Sequence, residues 1–86
     1  MMVVRLLYFA WLRERLGCAE EEVALPPGIG TVGDLLGWLR GRGGAYAAVL
    51  TETARIRSAV NQDFASDATP IRAGDEIALF PPITGG

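Results

Sequence analysis

The part of this sequence best suited to chemistry is its last seven residues, Phe80-Pro81-Pro82-Ile83-Thr84-Gly85-Gly86. Asp75-Glu76-Ile77-Ala78-Leu79-Phe80 reads as a buried strand, and the ladder must end at Pro81, because proline has no N–H to donate. Pro81 and Pro82 favour the stiff, extended polyproline II form. Gly85 and Gly86 carry no Cβ, so their backbone can pass through a slot too narrow for any other residue. At roughly 3.3 Å per residue, the stretch after Phe80 could reach about 20 Å. Its tip would be an α-carboxylate on Gly86. Once activated with a good leaving group, that carboxylate becomes an acyl donor. A frayed terminus is the plain alternative. Strand, double proline, spacer and Gly-Gly in that order favour a functional arm.

Other chemistry is scarce. The chain has 86 residues, a formal charge of −2, one cysteine and no histidine. A disulfide framework, a histidine base and nearly all zinc-ligand patterns are therefore excluded. The acidic balance argues against a nucleic-acid partner. Cys18 has no basic neighbour in sequence to lower its pKa and reads as a small, half-buried residue. Glu20-Glu21-Glu22 reads as a solvated strand end that discourages edge pairing. All eight basic residues are arginine. Compositional bias explains that most simply; a sharper reading is that an activated C-terminus is spared attack by an ε-amine of its own.

The length allows one domain, and half the residues are apolar, enough for a single modest core. The N-terminal apolar run is interrupted by Arg5, closed by Arg13-Glu14-Arg15 and too short to span a bilayer, so it reads as a strand rather than a signal peptide. Over Val3 to Phe9, Val4, Leu6 and Tyr8 face inward while Arg5, Leu7 and Phe9 face out. Ala10 to Leu16 is a short helix stopped by Gly17, and Glu20 to Leu25 an edge strand. Thr31-Val32-Gly33-Asp34 matches a capping box and starts the main helix, whose stripe is Val32, Leu35, Leu36 and Leu39. Gly33 and Gly37 suggest close approach to the sheet. Gly41 to Gly44 ends the helix, and neither this run nor Gly28-Ile29-Gly30 fits a phosphate-binding pattern. Ala45 to Thr53 could add a second helical segment. Ile56 to Asn61 is a third strand, and Asn61-Gln62-Asp63 a polar turn. The last strand puts Ile77 and Leu79 on one face, Ala78 and Phe80 on the other. The order strand–strand–helix–strand–strand gives an α+β fold with one main helix on one face of a mixed sheet.

The tail, the opening Val4-Arg5-Leu6-Leu7-Tyr8-Phe9-Ala10 with Leu12-Arg13-Glu14, the middle Ala59-Val60-Asn61-Gln62 and the lead-in Gly74-Asp75-Glu76-Ile77-Ala78 together resemble the sulfur-carrying small subunits of molybdopterin synthase. The resemblance implies a ubiquitin-like β-grasp domain over residues 1–80, first and last strands adjacent, with an extended, projecting tail over 81–86. It implies a cytoplasmic subunit of a sulfurtransferase without a complete active site of its own. An activating enzyme of the ubiquitin-activating type would use ATP to adenylate Gly86, which becomes a thiocarboxylate. The loaded tail would enter the synthase's large subunit and donate sulfur to a cyclic pterin precursor in molybdenum cofactor biosynthesis. No cofactor or metal would be bound permanently, nor nucleic acid or membrane. Strand parity adds a docking patch of Leu7, Phe9, Phe64 and Phe80, since the main helix already covers the other sheet face. The alternatives are a carrier for thiamin or cysteine synthesis, a ubiquitin-like modifier joined to lysines, and a plain binding module.

Overall fold

The computed structural model describes residues 2–51 and 56–82. Its elements are β1 (Met2–Tyr8), α1 (Ala10–Leu16), β2 (Glu20–Leu25), α2 (Val32–Arg40), α3 (Gly44–Leu50), β3 (Arg57–Val60), β4 (Asp63–Ala65) and β5 (Glu76–Phe80). The strands form one sheet in the order β2-β1-β5-β3-β4. β1 and β5 run parallel in the middle, and the other pairs are antiparallel. This is the β-grasp arrangement, with the first and last strands side by side.

Period-two alternation builds the core. Val4, Leu6 and Tyr8 of β1, Val23 and Leu25 of β2, and Ile77 and Leu79 of β5 are all buried on one face. The stripe Val32, Leu35, Leu36 and Leu39 of α2 is buried against them, joined by Leu12 of α1 and by Val49 and Leu50 of α3. Burial of each such side chain contributes about 1.5–3 kcal/mol relative to exposure.

The helix ends follow from local chemistry. Thr31 caps α2, its Oγ1 accepting from the Asp34 amide at 3.1 Å. The Asp34 carboxylate reaches back one residue further than a capping box requires, to the Gly30 amide at 3.1 Å. Gly17 closes α1 in the left-handed region at φ 80°. At the end of α2, Gly41 stays right-handed, and the chain turns at Gly43 and Gly44, both at positive φ.

Two expectations change. The strand order has a fifth member, β4, paired through a two-residue hairpin at Asn61 and Gln62. Three residues offer too little alternation to distinguish a strand from the polar turn before it. The helical segment expected from Ala45 forms as α3, close behind α2, and its expected end at Thr53 lies outside the described residues. The Gly33–Gly37 spacing does not serve the sheet. A Cβ on Gly33 would sit 3.1 Å from the Asp67 carbonyl oxygen, in the loop after β4, whereas one on Gly37 would meet only the end of Arg40 at 3.7 Å.

Candidate functional site

The tail begins where β5 stops. Phe80 is the last strand residue, and Pro81 and Pro82 follow in irregular, half-buried conformation. Ile83, Thr84, Gly85 and Gly86 lie outside the described residues. The root of the tail is thus the C-terminal end of a central strand, held on one side by β1 and on the other by β3.

The sheet face away from α2 is built in rows. In the first, Glu22, Arg5 and Glu76 lie side by side across β2, β1 and β5. The second runs Glu20, Leu7, Ala78, Ala59 and Phe64 across all five strands. In the third, Phe80 pairs with Arg57, and Phe9 follows β1 with its amide donating to the Leu79 carbonyl. Phe64 is 85% exposed and Phe9 45%, while Leu7 and Phe80 are half-buried. The Phe64 and Phe80 rings lie 6.1 Å apart at 56°, a tilted aromatic pair. Among the predicted patch residues the fold therefore sets Leu7, Phe9, Phe64 and Phe80 on one side of the sheet, beside the root of the tail. Ala78 lies outward as expected, and the rows add Ala59 beside it and Arg57 at the margin.

Two residues singled out in the sequence turn out to have structural duties. Asn61 occupies the left-handed region at φ 51°, which its short amide tolerates. Its Nδ2 donates to Asp75 Oδ1 at 2.9 Å, and its Oδ1 accepts from the Glu76 amide at 3.0 Å. The second carboxylate oxygen of Asp75 accepts from the Arg72 amide at 2.7 Å. The paired signatures Asn61-Gln62 and Gly74-Asp75-Glu76 thus fasten the β3–β4 turn to the start of β5, at the far end of the sheet from the tail.

The glutamate run needs correction. Glu20 and Glu22 are exposed, but Glu21 is half-buried. It shares the inward parity of Val23 and Leu25, and that parity was the available signal. Its Oε2 accepts from the Tyr8 hydroxyl at 2.7 Å and the Tyr46 hydroxyl at 2.6 Å, and its Oε1 from Arg42 Nη1 at 3.0 Å. The Arg42 guanidinium lies 4.4 Å from the Tyr46 ring centre and 5.5 Å from that of Trp38. Burial pushes the Glu21 carboxyl up, but the hydrogen bonds from Tyr46, Tyr8 and Arg42 outweigh it and hold it below the ordinary range. Burial and the bond to Glu21 raise the Tyr8 hydroxyl, and push that of Tyr46 up to about 12. These groups are mutually satisfied. They clasp the edge strand β2 to the α2–α3 connection and lie on the helix side of the sheet, away from the patch.

Cys18 is half-buried. Among the described residues no three histidine, cysteine, aspartate or glutamate side chains converge to hold a metal, and no helix is long and apolar enough to cross a membrane.

Comparison with known proteins bears on the whole length. The profile of the ThiS family matches residues 6–86. A protein from Escherichia coli (strain K12) named molybdopterin synthase sulfur carrier subunit is 37% identical over 84 residues, covering 98% of this chain and all of its own. One of the same name from Mycobacterium tuberculosis (strain ATCC 25618 / H37Rv) is 36% identical over 89 residues, covering both chains fully. Among solved structures, the small archaeal modifier protein 1 of Haloferax volcanii is similar with a TM-score of 0.75 at 30% identity. That match covers 96% of this chain and all of the other.

Proposed function

The chain belongs to the ThiS family, and from that premise we propose that it is the sulfur-carrier subunit of a molybdopterin synthase. The observation that carries the reading is full-length similarity to relatives of that name, together with the ending Phe80-Pro81-Pro82-Ile83-Thr84-Gly85-Gly86 directly after a central strand.

In this reading the domain is an anchor and the tail a lever. A carboxylate is a poor electrophile because its negative charge opposes attack. An ATP-dependent adenylyltransferase joins the Gly86 carboxylate to AMP and releases pyrophosphate, giving the carbonyl a good leaving group. A sulfur nucleophile then displaces AMP, and one oxygen of Gly86 has been replaced by sulfur. The thiocarboxylate is carried into the large subunit and yields its sulfur to a cyclic pterin precursor. Acid–base groups and the substrate pocket are the partner's contribution. ATP is consumed by the activating partner and is not a resident cofactor of this chain.

The outer sheet face is the docking surface. Leu7, Phe9, Phe64 and Phe80 cluster beside the root of the lever, so a partner seated there has the tail directed at its interior. The rings offer the rigid apolar area that interfaces draw on most.

Intact mass of the protein purified from its own host, with an unmodified end, tests the reading. A shift matching oxygen-to-sulfur exchange, confined to the last peptide, supports it. Its absence in cells actively making the cofactor overturns it. A residue appended after Gly86 is expected to abolish sulfur transfer.

The similarity to a small archaeal modifier protein favours a second reading, in which Gly86 is joined to amines of other proteins. An isopeptide-linked ladder in cells would select it, as a free thiocarboxylate selects the carrier.

A further inference from the structure

We propose that the outer sheet face is electrostatically polarised, and that this polarity fixes the orientation in which the large subunit docks. The partner sets a carboxylate against Arg57 at the root of the tail, and basic side chains against Glu22 and Glu76 at the other end. The inference deepens the sulfur-carrier reading and rests on it, since its partner is the large subunit.

The argument starts from the rows. At one end, Glu22 and Glu76 flank Arg5, while Glu20 lies in the next row toward the tail, beside Leu7. Two carboxylates there flank one guanidinium and leave that end net negative. They border a shallow notch of about 310 Å³ lined by Val3, Val4, Arg5, Glu22, Gly74 and Glu76. At the other end the Phe80 row carries Arg57, which is exposed and forms no ion pair among the described residues. Glu76 and Phe80 are the two ends of β5. At about 3.3 Å per residue that separation is about 13 Å. It exceeds the Debye length of about 8 Å at physiological ionic strength, so the two ends act as separate patches of opposite sign.

The apolar surface supplies only part of the direction. Leu7, Ala78, Ala59 and Phe64 cross the strands in one row, and Phe9 and Phe80 alone weight it toward the tail. Only one of the two end-for-end orientations of the partner brings the tail to its cavity. Charges at the rim contribute little to affinity once the face is covered, but they steer the encounter and penalise juxtaposition of like charges. A face with acids at one end and an arginine at the lever's root discriminates between the two orientations at low energetic cost.

The test is stopped-flow association with the large subunit at low and at high salt. The variants are Arg57→Glu, the double neutralisation Glu22→Gln/Glu76→Gln, and the apolar control Phe80→Ala. Arg57→Glu is expected to associate about tenfold more slowly at low salt, and the glutamine pair several-fold more slowly. Both should converge on the wild-type rate near about 1 M salt, where the Debye length is about 3 Å. Loss of affinity in Phe80→Ala, with the charge variants matching wild type at low salt, overturns the inference and leaves the docking surface standing. Unchanged binding in Phe80→Ala, or no binding by the wild type, overturns the docking reading and this inference with it.

Discussion

The two faces of this sheet are made by the same strands, yet they differ in every physical respect. On the inner face Leu6, Tyr8, Ile77 and Leu79 are sealed beneath α2, and the polar groups that reach it, Glu21 with Tyr8, Tyr46 and Arg42, satisfy one another. On the outer face Leu7, Phe9, Phe64 and Phe80 have no helix above them, and the charges at the margin are unpaired among the described residues. A single-domain chain can cover one face of its sheet with one layer of helices. Apolar side chains left on the other face are therefore available to a partner. Stability belongs to the first face and recognition to the second.

Substitutions can break or sharpen that division. The largest loss of stability is expected on the inner face, where Leu79→Ala should cost about 2–5 kcal/mol in denaturant unfolding, from lost burial plus the cavity left behind. A cost as small as that of an outer-face substitution would dissolve the distinction.

Next comes the clasp. Glu21→Gln keeps the shape but removes the charge that the two hydroxyls and Arg42 engage, and should cost about 2 kcal/mol. Glu21 sits below its ordinary pKa when folded, so its contribution is present above the unfolded value. It is lost as pH falls from the ordinary glutamate range through the folded value. The mutant's stability profile should therefore lose part of the wild-type slope on the acid side. Tyr46 has the opposite sign: its pKa is raised from 10.0 to about 12, so stability falls as pH rises through that window. A Tyr46→Phe variant should lose that slope.

A smaller effect, in the stabilising direction, is expected at the β3–β4 turn. Asn61 and Gln62 both have positive φ, at 51° and 73°, as a two-residue hairpin of this type demands. Asparagine suits the first position and glycine the second, so Gln62→Gly should raise stability by about 1 kcal/mol. An unchanged unfolding midpoint would contradict it.

The smallest stability change is expected at the most exposed ring. Phe64→Ala should leave unfolding within about 0.5 kcal/mol of wild type. The same variant should weaken large-subunit binding tenfold or more, as truncated interface anchors do. Loss of stability without loss of binding would assign Phe64 to the fold and not to recognition.

Several of these features were legible in the sequence for local reasons. Strand alternation in β1 and β5 placed each side chain on its face, since a period of two leaves only one inward set. The Thr31 cap and the Val32–Leu39 stripe announced α2, and Pro81-Pro82 announced the end of the ladder. Glu21 was misread because three adjacent acids looked alike, although only the middle one shares the parity of Val23 and Leu25. The three-residue β4 left too short a pattern to read.

What the sequence by itself determined is what depends on near neighbours: strand faces, caps, turns and the order of parts that makes the tail recognisable. Tertiary structure alone decided what depends on residues far apart in the chain. It brought Tyr8, Arg42 and Tyr46 onto the Glu21 carboxylate, set Arg57 against Phe80, and tied Asn61 to Asp75. The physical reason is that periodicity and backbone conformation are written into consecutive residues. The partner of a buried or marginal charge is chosen only when strands find their register, and that register is fixed by burial of the whole inner face at once.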